Sequence, residues 1–332
     1  MDTNTLKCLK NTDTHAYVIP TDKWLTPIKP LISSSSNAQK IIARMLQKEK
    51  ILVRVTNNNN KRLSIINKNL SGLPNFPIVY CTIICQESSD ILDVDYMIAD
   101  KPVRGFCNGK STDTFVTLEL MKYYKENVIN SLLESKIKLE ELKQLLNQTL
   151  SAQLIAFQLF GFLHNDIHLD NFIIIQDHFE YTYTFDKRVG FSDVKVINGV
   201  KVIIIDFGVS EMMDSKYRSK YIDDYFVKKF DQLLPNRKYF NKENTLPNNL
   251  FETIKTLLSL VDNSKSLVDK IRNIIIENNQ LLDYYNYHYN KRQHSFFSTN
   301  DFDIFMRKVL DLSIRMINDI YNVLFGCDFS II

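Results

Sequence analysis

The sequence predicts an α+β fold, with a small strand-rich part followed by a mainly helical part. Three short runs rich in β-branched residues, at residues 51–55, 77–85 and 115–121, predict strands before residue 122. After residue 139, apolar residues recur every three or four positions over several long stretches, as they do in amphipathic helices. A hydrophobic content of 45% with 24% charged residues is typical of a globular chain that buries a core.

The N-terminal part begins with an expected extension over residues 1–36, which is polar at its start and contains several prolines. Residues 37–50 predict a helix. The apolar residues at helical spacing in this stretch are Ile41, Ile42, Met45 and Leu46. Residues 51–55 then predict a short strand, because the asparagine run at residues 57–60 favours a turn.

The middle of the chain alternates between strand and helix patterns. Residues 77–85 predict a central strand, and residues 90–114 predict an irregular connection to a further strand at residues 115–121. Residues 139–163 predict one long amphipathic helix. Its apolar positions are Leu139, Leu142, Leu146, Leu150, Leu154 and Phe157.

An extended β-hairpin is expected after residue 171. Residues 179–185 alternate as a strand, and residues 194–205 are expected to fold back about Asn198-Gly199, the strongest short hairpin signal. The hairpin would occupy an insert at residues 176–200. Further helices are predicted over residues 221–234, 248–261, 267–285 and 302–325.

Two motifs carry the chemistry. Residues 162–171 read Phe-Leu-His-Asn-Asp-Ile-His-Leu-Asp-Asn, which gives the spacing H-x-D-x-x-x-x-N with Asp166 as its aspartate and Asn171 as its asparagine. Residues 202–208 are an apolar run that ends in Asp206-Phe-Gly. An aspartate can orient the proton of an attacking hydroxyl, and Asn and Asp oxygens are hard ligands for Mg²⁺. Either motif alone also fits a polar loop or turn, but both in this order favour a phosphoryl-transfer site.

With these two motifs, the chain resembles the protein-kinase-like superfamily and is identified as an atypical member of it. The resemblance is clear over residues 115–210, and the string L-H-N-D-I-H-L-D-N is also similar to kinase-like proteins of large DNA viruses. It implies a bilobal protein-kinase-like fold with a small, divergent β-rich N-lobe and a mainly helical C-lobe. It also implies ATP and Mg²⁺ as cofactors and phosphoryl transfer to serine or threonine hydroxyls of proteins.

The resemblance assigns the chain to lobes. Residues 37–121 would form the N-lobe and hinge, and residues 122–332 the C-lobe with its hairpin insert. The strand at residues 51–55 matches the family's V-A-I-K strand with Arg54 at the lysine position, although an exposed strand residue would look the same. The helix that normally carries the partner glutamate would be residues 61–70, which contain no acidic residue, and the chain has no G-x-G-x-x-G loop.

The resemblance also assigns roles to single residues. Backbone groups of Glu119, Leu120 and Met121 would bind the adenine edge, although a strand-to-helix crossover in any α/β domain has a similar sequence. Asp166 would be the catalytic base, and Asn171 and Asp206 the metal ligands. His168 replaces the lysine that steadies the transferring phosphate, to which an imidazole would offer a hydrogen bond or a charge.

Two alternative functions stay open at this point. A small-molecule phosphotransferase of the aminoglycoside- or choline-kinase type shares H-x-D-x-x-x-x-N and often has histidine at the position of His168. A catalytically weak pseudokinase scaffold would explain the missing glutamate and glycine-rich loop. The intact D-F-G favours a protein kinase, and a scaffold would need none of Asp166, Asn171 and Asp206.

Composition limits partners and compartment. A net charge of +3 is too small to indicate a nucleic-acid partner. Five scattered cysteines, an odd number, favour thiols in a reducing compartment, and the sequence shows neither a signal peptide nor a membrane span. We therefore expect a cytoplasmic protein, inside a cell or virion, that acts on a protein substrate. The sequence gives no indication of oligomeric state.

Overall fold

The computed structural model describes residues 25–31, 39–45, 49–56, 61–91, 97–98, 101–102, 104–106, 111–124, 127–185, 194–212, 245–277 and 299–329. The chain divides into two compact units. The first comprises residues 1–72 and 77–125, and the second comprises residues 73–76 and 126–332. The fold is a mixture of helices and small antiparallel sheets, in agreement with the predicted α+β class. The lobes at residues 37–121 and 122–332 stay predictions.

The first unit contains an antiparallel six-stranded sheet with the strand order β1-β2-β3-β8-β4-β7. Its strands are β1 (Leu25–Leu31), β2 (Gln39–Met45), β3 (Glu49–Thr56), β4 (Val79–Ile91), β7 (Arg104–Phe106) and β8 (Ser111–Lys122). A separate two-stranded pair is formed by β5 (Met97–Ile98) and β6 (Lys101–Pro102). Helix α1 (Lys61–Leu70) follows β3 and contacts β4.

The predicted helix over residues 37–50 is wrong, because this stretch contains β2 and the start of β3. Strand β2 is paired with β3 along its whole length and with β1 from Lys40 to Met45. Ile41 and Ile42 are β-branched and suit a strand, and the two ladders outweigh a helical spacing of only four apolar residues. Residues 90–114 are likewise more regular than predicted, since β4 ends and β5, β6, β7 and the start of β8 lie there.

Strand β1 lies inside the predicted extension and forms one edge of the sheet. It contains Pro27 and Pro30, which an edge position tolerates because one side of the strand needs no ladder partner. The register with β2 shifts between Pro27 and Lys29. The strands predicted at residues 51–55 and 115–121 are confirmed as parts of β3 and β8.

Helix α3 is the centre of the second unit. This unit contains α2 (Ile129–Ser135), α3 (Leu139–Phe160), α4 (Leu246–Leu258), α5 (Ser264–Glu277) and α6 (Thr299–Phe325), with strands β9 (Phe172–Tyr183) and β10 (Val194–Ile204). Helix α3 contacts β9, β10, α4 and α6, and every residue from Leu145 to Phe157 is buried. It is the long helix that the sequence predicted over residues 139–163.

Buried polar side chains tie α3 to its neighbours. Tyr321 of α6 donates its hydroxyl to Asn147 Oδ1 at 2.7 Å, and burial raises the pKa of this tyrosine well above its usual value. Gln153 Nε2 donates to Thr253 Oγ1 of α4 at 2.7 Å. Polar groups removed from water need such partners, so these bonds fix where α4 and α6 pack on α3.

The end of α3 directs the chain into the first motif. Gly161 takes a left-handed conformation with φ 59°, and its N–H donates to Phe157 O at 2.7 Å. Glycine at this position closes a helix without steric cost. The helix therefore stops at Phe160, three residues before the predicted end, and residues 162–171 leave it as a loop.

Strands β9 and β10 form one antiparallel ribbon, which confirms the expected hairpin but corrects its turn. The pairing runs from Phe172 opposite Ile204 to Tyr183 opposite Val194. The chain therefore does not turn at Asn198-Gly199. Instead, two residues of β9 lie opposite Gly199, in a bulge within the ribbon.

The turn prediction fails because continued pairing with β9 outweighs the local preference. An Asn-Gly turn requires positive φ at both residues, whereas Gly199 does not have it and Asn198 is paired with Phe179 in the ladder. The predicted insert at residues 176–200 is thus the middle of a longer ribbon, which starts immediately after Asn171 and ends two residues before Asp206.

The outer edge of β10 is closed by a buried polar network. The backbone carbonyl of Asn75 accepts from Ile204 N–H at 2.9 Å, and its side-chain Nδ2 donates to Val202 O at 2.6 Å. Gln148 Oε1 of α3 accepts from Val202 N–H and from Asn75 Nδ2, each at 3.1 Å. The hydroxyl of Tyr183 donates to Asn75 Oδ1, and burial raises the pKa of this tyrosine well above its usual value, so it stays a donor.

The outer edge of β9 is also partly satisfied. Val128 N–H donates to Ile174 O at 2.8 Å, and Ile174 N–H donates to Asn127 Oδ1 at 3.1 Å. A two-stranded ribbon is marginally stable by itself. Bonds on both outer edges hold this one against the rest of the second unit.

The predicted helices at residues 248–261 and 302–325 are confirmed as α4 and α6, and the helix starting at residue 267 is confirmed as far as Glu277. The helix predicted over residues 221–234 lies outside the described residues. None of the described helices is both long and apolar enough to cross a membrane.

Candidate active site

The loop that carries the first motif is tied at its start to the chain after the second motif. Leu163 and Glu211 exchange two backbone hydrogen bonds, at 2.9 and 2.8 Å. Ser210 Oγ donates to His164 O at 2.9 Å and is fully buried. The two motifs, about 40 residues apart in sequence, are therefore joined by a short backbone bridge.

His164 forms a second link between the motifs. Its Nδ1 accepts from Asp166 N–H at 3.3 Å, and its Nε2 lies 2.8 Å from Ile205 O. Because a backbone N–H can only donate, Nδ1 must be unprotonated, and Nε2 carries the proton that reaches Ile205 O. A neutral imidazole thus connects the backbone beside Asp166 with the backbone before Asp206, which agrees with the expected structural role of His164.

Burial lowers the pKa of His164 below its usual value. The bond to the Ile205 carbonyl and the carboxylates of Asp166 and Asp206 act in the opposite direction, but desolvation is the larger effect. The histidine is therefore held neutral, as its two hydrogen bonds require.

Aromatic packing anchors the turn at the second motif. The Phe207 ring is buried and meets Phe162 edge-to-face at 5.5 Å, His164 at 5.6 Å and Phe76 at 5.9 Å between ring centroids. Phe162 and Phe76 meet at 5.7 Å and 90°. Tilted and edge-to-face pairs are favourable for aromatic rings, so this cluster fixes the residue that follows Asp206.

Asn165 anchors the loop to α4. It has φ 63°, a left-handed conformation that asparagine tolerates better than most residues. Its N–H donates to Asn249 Oδ1 at 2.8 Å, and Asn249 Nδ2 donates to Asn165 Oδ1 at 3.2 Å. Asn249 could not be predicted from the sequence, because a polar residue in the first turn of a helix is common and carries no local signal.

Asp166, His168 and Asn171 come together in the loop. Asn171 is buried, and its Nδ2 donates to Asp166 O at 2.8 Å and Asp166 Oδ2 at 3.3 Å. His168 Nε2 lies 2.9 Å from the same Nδ2 and 3.6 Å from Asp166 Oδ2. The side chains of Asp166 and His168 are both about half exposed, at 49% and 48%. The predicted base is thus accessible, while its backbone is fixed.

The geometry brings the two predicted metal ligands close along the backbone. Ile205 N–H donates to Asn171 O at 2.9 Å, directly beyond the last ribbon pair. Asp206 follows with φ 64°, an unusual conformation that turns the chain out of β10. A Cβ at Gly208 would lie 3.4 Å from Asp206 Oδ1, so a side chain at this position would be in direct contact with the carboxylate.

These residues fit a magnesium site that is completed by a substrate. Asn171 uses Nδ2 to hold the loop, so Oδ1 is its atom for a cation, and Asp206 offers a carboxylate. Among the residues that the structure describes, no three His, Cys, Asp or Glu side chains form a metal cluster. Two oxygen donors suffice for Mg²⁺ because it usually keeps waters and binds substrate phosphates as well.

The predicted nucleotide-binding residues lie in the first unit. Arg54 of β3 is paired directly with Glu119 of β8, and Arg54 Nη1 lies 3.7 Å from Glu119 Oε2. The Arg54 side chain is only 13% exposed, so the alternative of an exposed strand residue is wrong. Leu120 and Met121 follow in β8 with buried side chains. Nucleotide binding by these residues stays a prediction.

Glu119 has a second partner on α1. Asn67 Nδ2 donates to Glu119 Oε1 at 2.8 Å, and both side chains are buried. Sequence analysis considered only the backbone of Glu119 and found no acidic partner for Arg54 on the helix. The partner lies on the neighbouring strand, and only the β3–β8 register could have revealed it.

Comparison with known families gives one match. Residues 107–230 match the ABC1 atypical kinase-like domain. This range includes residues 119–121 and all of Asp166, His168, Asn171 and Asp206, whereas Arg54 precedes it. No curated protein matches the chain. The match supports an atypical protein-kinase-like family, and the similarity to viral kinase-like proteins stays a prediction.

The buried histidine predicts a pH dependence of stability. Because the folded-state pKa of His164 is lowered, its contribution is fully present above the unfolded-state value of about 6.5. It is lost as pH falls from there through the folded-state pKa, by up to about 1.4 kcal/mol per pH unit, the limit for one proton. The free energy of unfolding, measured with urea at several pH values between 7.5 and 5, should depend less steeply on pH for His164→Gln than for the wild type.

The exposed His178 provides the matched control. His178→Gln should retain the pH dependence of the wild-type unfolding free energy. The same pH dependence for the wild type and His164→Gln would contradict a neutral buried His164.

Proposed function

We propose that the protein is an atypical kinase that transfers the γ-phosphoryl group of ATP to serine or threonine hydroxyls of proteins. The observation that carries this proposal is the convergence of Asp166, Asn171 and Asp206 at the open end of the β9–β10 ribbon. The match of this region to an atypical kinase-like domain supports it. In this proposal the two units are the lobes of a bilobal kinase.

Asp166 acts as the base that accepts or orients the proton of the attacking hydroxyl. A base must reach the substrate while keeping a fixed position. Its carboxylate is half exposed, and its backbone is held by Asn171 Nδ2 at the carbonyl and by His164 Nδ1 at the N–H. The attacking oxygen then bonds to the γ-phosphorus as the bond to the leaving ADP oxygen breaks.

Asn171 and Asp206 hold Mg²⁺ through Asn171 Oδ1 and the Asp206 carboxylate. When bound, the cation neutralises charge on the nucleotide phosphates. The ribbon sets the separation of its two ligands, because Asn171 precedes β9 and Asp206 follows β10. His168, beside Asp166, supplies an imidazole N–H, or a positive charge when protonated, to the transferring phosphoryl group.

The first unit supplies the nucleotide-binding residues in this proposal. Arg54 takes the place of the usual lysine towards the phosphates. The backbone of Glu119, Leu120 and Met121 is paired with both β3 and β4, so in this proposal the adenine edge is bound by the backbone directly after these residues. The pseudokinase alternative was motivated in part by the missing glutamate on α1. The ion pair between Arg54 and Glu119 supports the kinase reading, because it gives the cation an acidic partner from β8.

A protein substrate would contact the exposed face of the ribbon. Tyr181 is 44% exposed, beside the ion pair of Glu180 and Lys195 at 3.1 Å. The ribbon also has a buried side, with Phe179 and Tyr183 at 5% and 1% exposure. Deleting the ribbon would therefore damage the core, and substitutions on the exposed face are the cleaner test. We place this reaction in the cytoplasm, where ATP and reduced thiols are found together.

Asp166→Asn should lose phosphoryl transfer by about 10²- to 10⁴-fold, the usual contribution of a positioned base. The measurement is incorporation of labelled γ-phosphate into a pool of folded proteins and, in parallel, into a set of hydroxylated metabolites. The proposal is supported if the wild type transfers the label to serine or threonine residues of proteins and Asp166→Asn does not.

The control for this test is Asp262→Asn, which removes an exposed carboxylate in the turn between α4 and α5 and should retain activity. Label on metabolites alone would favour a small-molecule phosphotransferase. Absence of label from wild-type protein that binds ATP would favour a pseudokinase.

Asp206→Ala should abolish the Mg²⁺-dependent part of ATP binding more completely than Asn171→Ala, because a carboxylate contributes a full charge and an amide only a dipole. Thermal unfolding of each variant with ATP, in MgCl₂ and in EDTA, measures that part. Wild-type stabilisation of Asp206→Ala by Mg-ATP would contradict metal binding by Asp206.

Tyr181→Ser should lower the phosphorylation of protein substrates severalfold without changing basal ATP hydrolysis. An exposed tyrosine supplies large apolar contact area to a partner that covers it. The Tyr181 ring also meets the buried Tyr183 ring at 5.1 Å, so unchanged ATP hydrolysis is needed to show that the ribbon is intact. Val323→Ser, on α6 and 49% exposed, is the matched control and should behave as the wild type. Unchanged protein phosphorylation in Tyr181→Ser would exclude this face of the ribbon as the contact.

A further inference from the structure

The ion pair between Arg54 and Glu119 is built into the sheet. The two residues are direct partners in the antiparallel register of β3 and β8. Neighbouring strands lie about 5 Å apart, so opposite side chains on one face meet without any movement of a helix. Their separation of 3.7 Å, with 13% and 2% of the side chains exposed, shows that the pair is largely removed from water.

Asn67 determines how Glu119 presents its carboxylate. Its Nδ2 donates to Oε1 at 2.8 Å, while Oε2 is the oxygen nearest to Arg54. The two oxygens therefore contact different elements: Oε1 accepts from Asn67 of α1, and Oε2 faces Arg54 of β3. Helix α1 has no acidic side chain, so it contributes an amide that orients the acid of another element.

We propose that Glu119 is the positioning residue for Arg54 as a phosphate-binding cation, and that Asn67 positions Glu119. This inference rests on the proposed function, because it assumes that Arg54 faces the nucleotide phosphates. An arginine carries five N–H donors in a planar fork, so an ion pair at Nη1 is compatible with a second anionic partner. A long side chain fixed by a buried acid loses less conformational entropy when phosphate binds.

The competing explanation is that the ion pair only stabilises the first unit. The two explanations differ in which ligand is affected. A positioning role acts through the phosphates, so it concerns ATP and leaves adenosine unaffected. A purely structural role changes the binding of both ligands together or changes stability alone.

The experiment measures dissociation constants for Mg-ATP and for adenosine by calorimetry. Glu119→Gln should weaken Mg-ATP binding about tenfold, within the range found for directly coupled groups, and leave adenosine binding unchanged. Asn67→Ala should weaken Mg-ATP binding about threefold, because it disturbs only the orientation of Glu119. Lys68→Met removes an exposed cation next to Asn67 on α1 and is the matched control, with wild-type affinities expected.

A double substitution tests whether Glu119 acts through Arg54. Arg54→Met removes the guanidinium and keeps much of the side-chain length. In that background, Glu119→Gln should cause no further loss of Mg-ATP affinity, since a positioning residue has nothing left to position. Additive losses in the double variant would overturn the inference.

The outcomes separate the inference from the proposed function. If the wild type does not bind Mg-ATP, the proposed function is wrong and the inference fails with it. If the wild type binds Mg-ATP but Glu119→Gln and Asn67→Ala bind it equally well, or lose ATP and adenosine equally, only the inference is wrong. Should Glu119→Gln not fold, Asn67→Ala decides by the same comparison.

Discussion

The pairing of β9 with β10 is the constraint on which the candidate site depends. Asn171 and Asp206 are separated by the whole of β9 and β10 in the sequence. The register places Phe172 opposite Ile204, and the next bond joins Ile205 N–H to Asn171 O at 2.9 Å. A shift of one residue would turn the side chains of one strand to the other face and separate the two motifs.

The register is protected by partners that lie far away in the sequence. Gln148 of α3 and Asn75 bond to β10, and Asn127 bonds to β9. Buried polar networks of this kind stabilise a structure when every member has its partners and are costly when one is lost. The same reasoning applies to His164, whose neutral ring connects the two motifs only while both of its nitrogen atoms are engaged.

The sequence predicted those parts of the site that depend on spacing within one segment. The positions of Asp166, His168, Asn171 and Asp206 follow from two local motifs, and α3 follows from regular apolar spacing. The parts that failed depend on strand pairing between segments. The residues at 37–50 pair on both sides as a strand, Asn198-Gly199 continues in a ladder, and the acidic neighbour of Arg54 comes from β8. No local pattern identifies which strand will lie beside which.

The location of the Arg54–Glu119 pair also bears on how such a protein can be controlled. An ion pair between a strand and a helix can be opened by swinging the helix away, and it can therefore act as a switch. Here both charges are on adjacent strands, and displacing α1 would break the bond from Asn67 to Glu119 while leaving the pairing of the two strands in place. The backbone ladder of β3 and β8 would still hold the two residues opposite each other, so a change of side-chain rotamer is needed to separate Arg54 from Glu119. Helix movement could thus adjust the strength of this contact by degrees, but it could not turn the contact off.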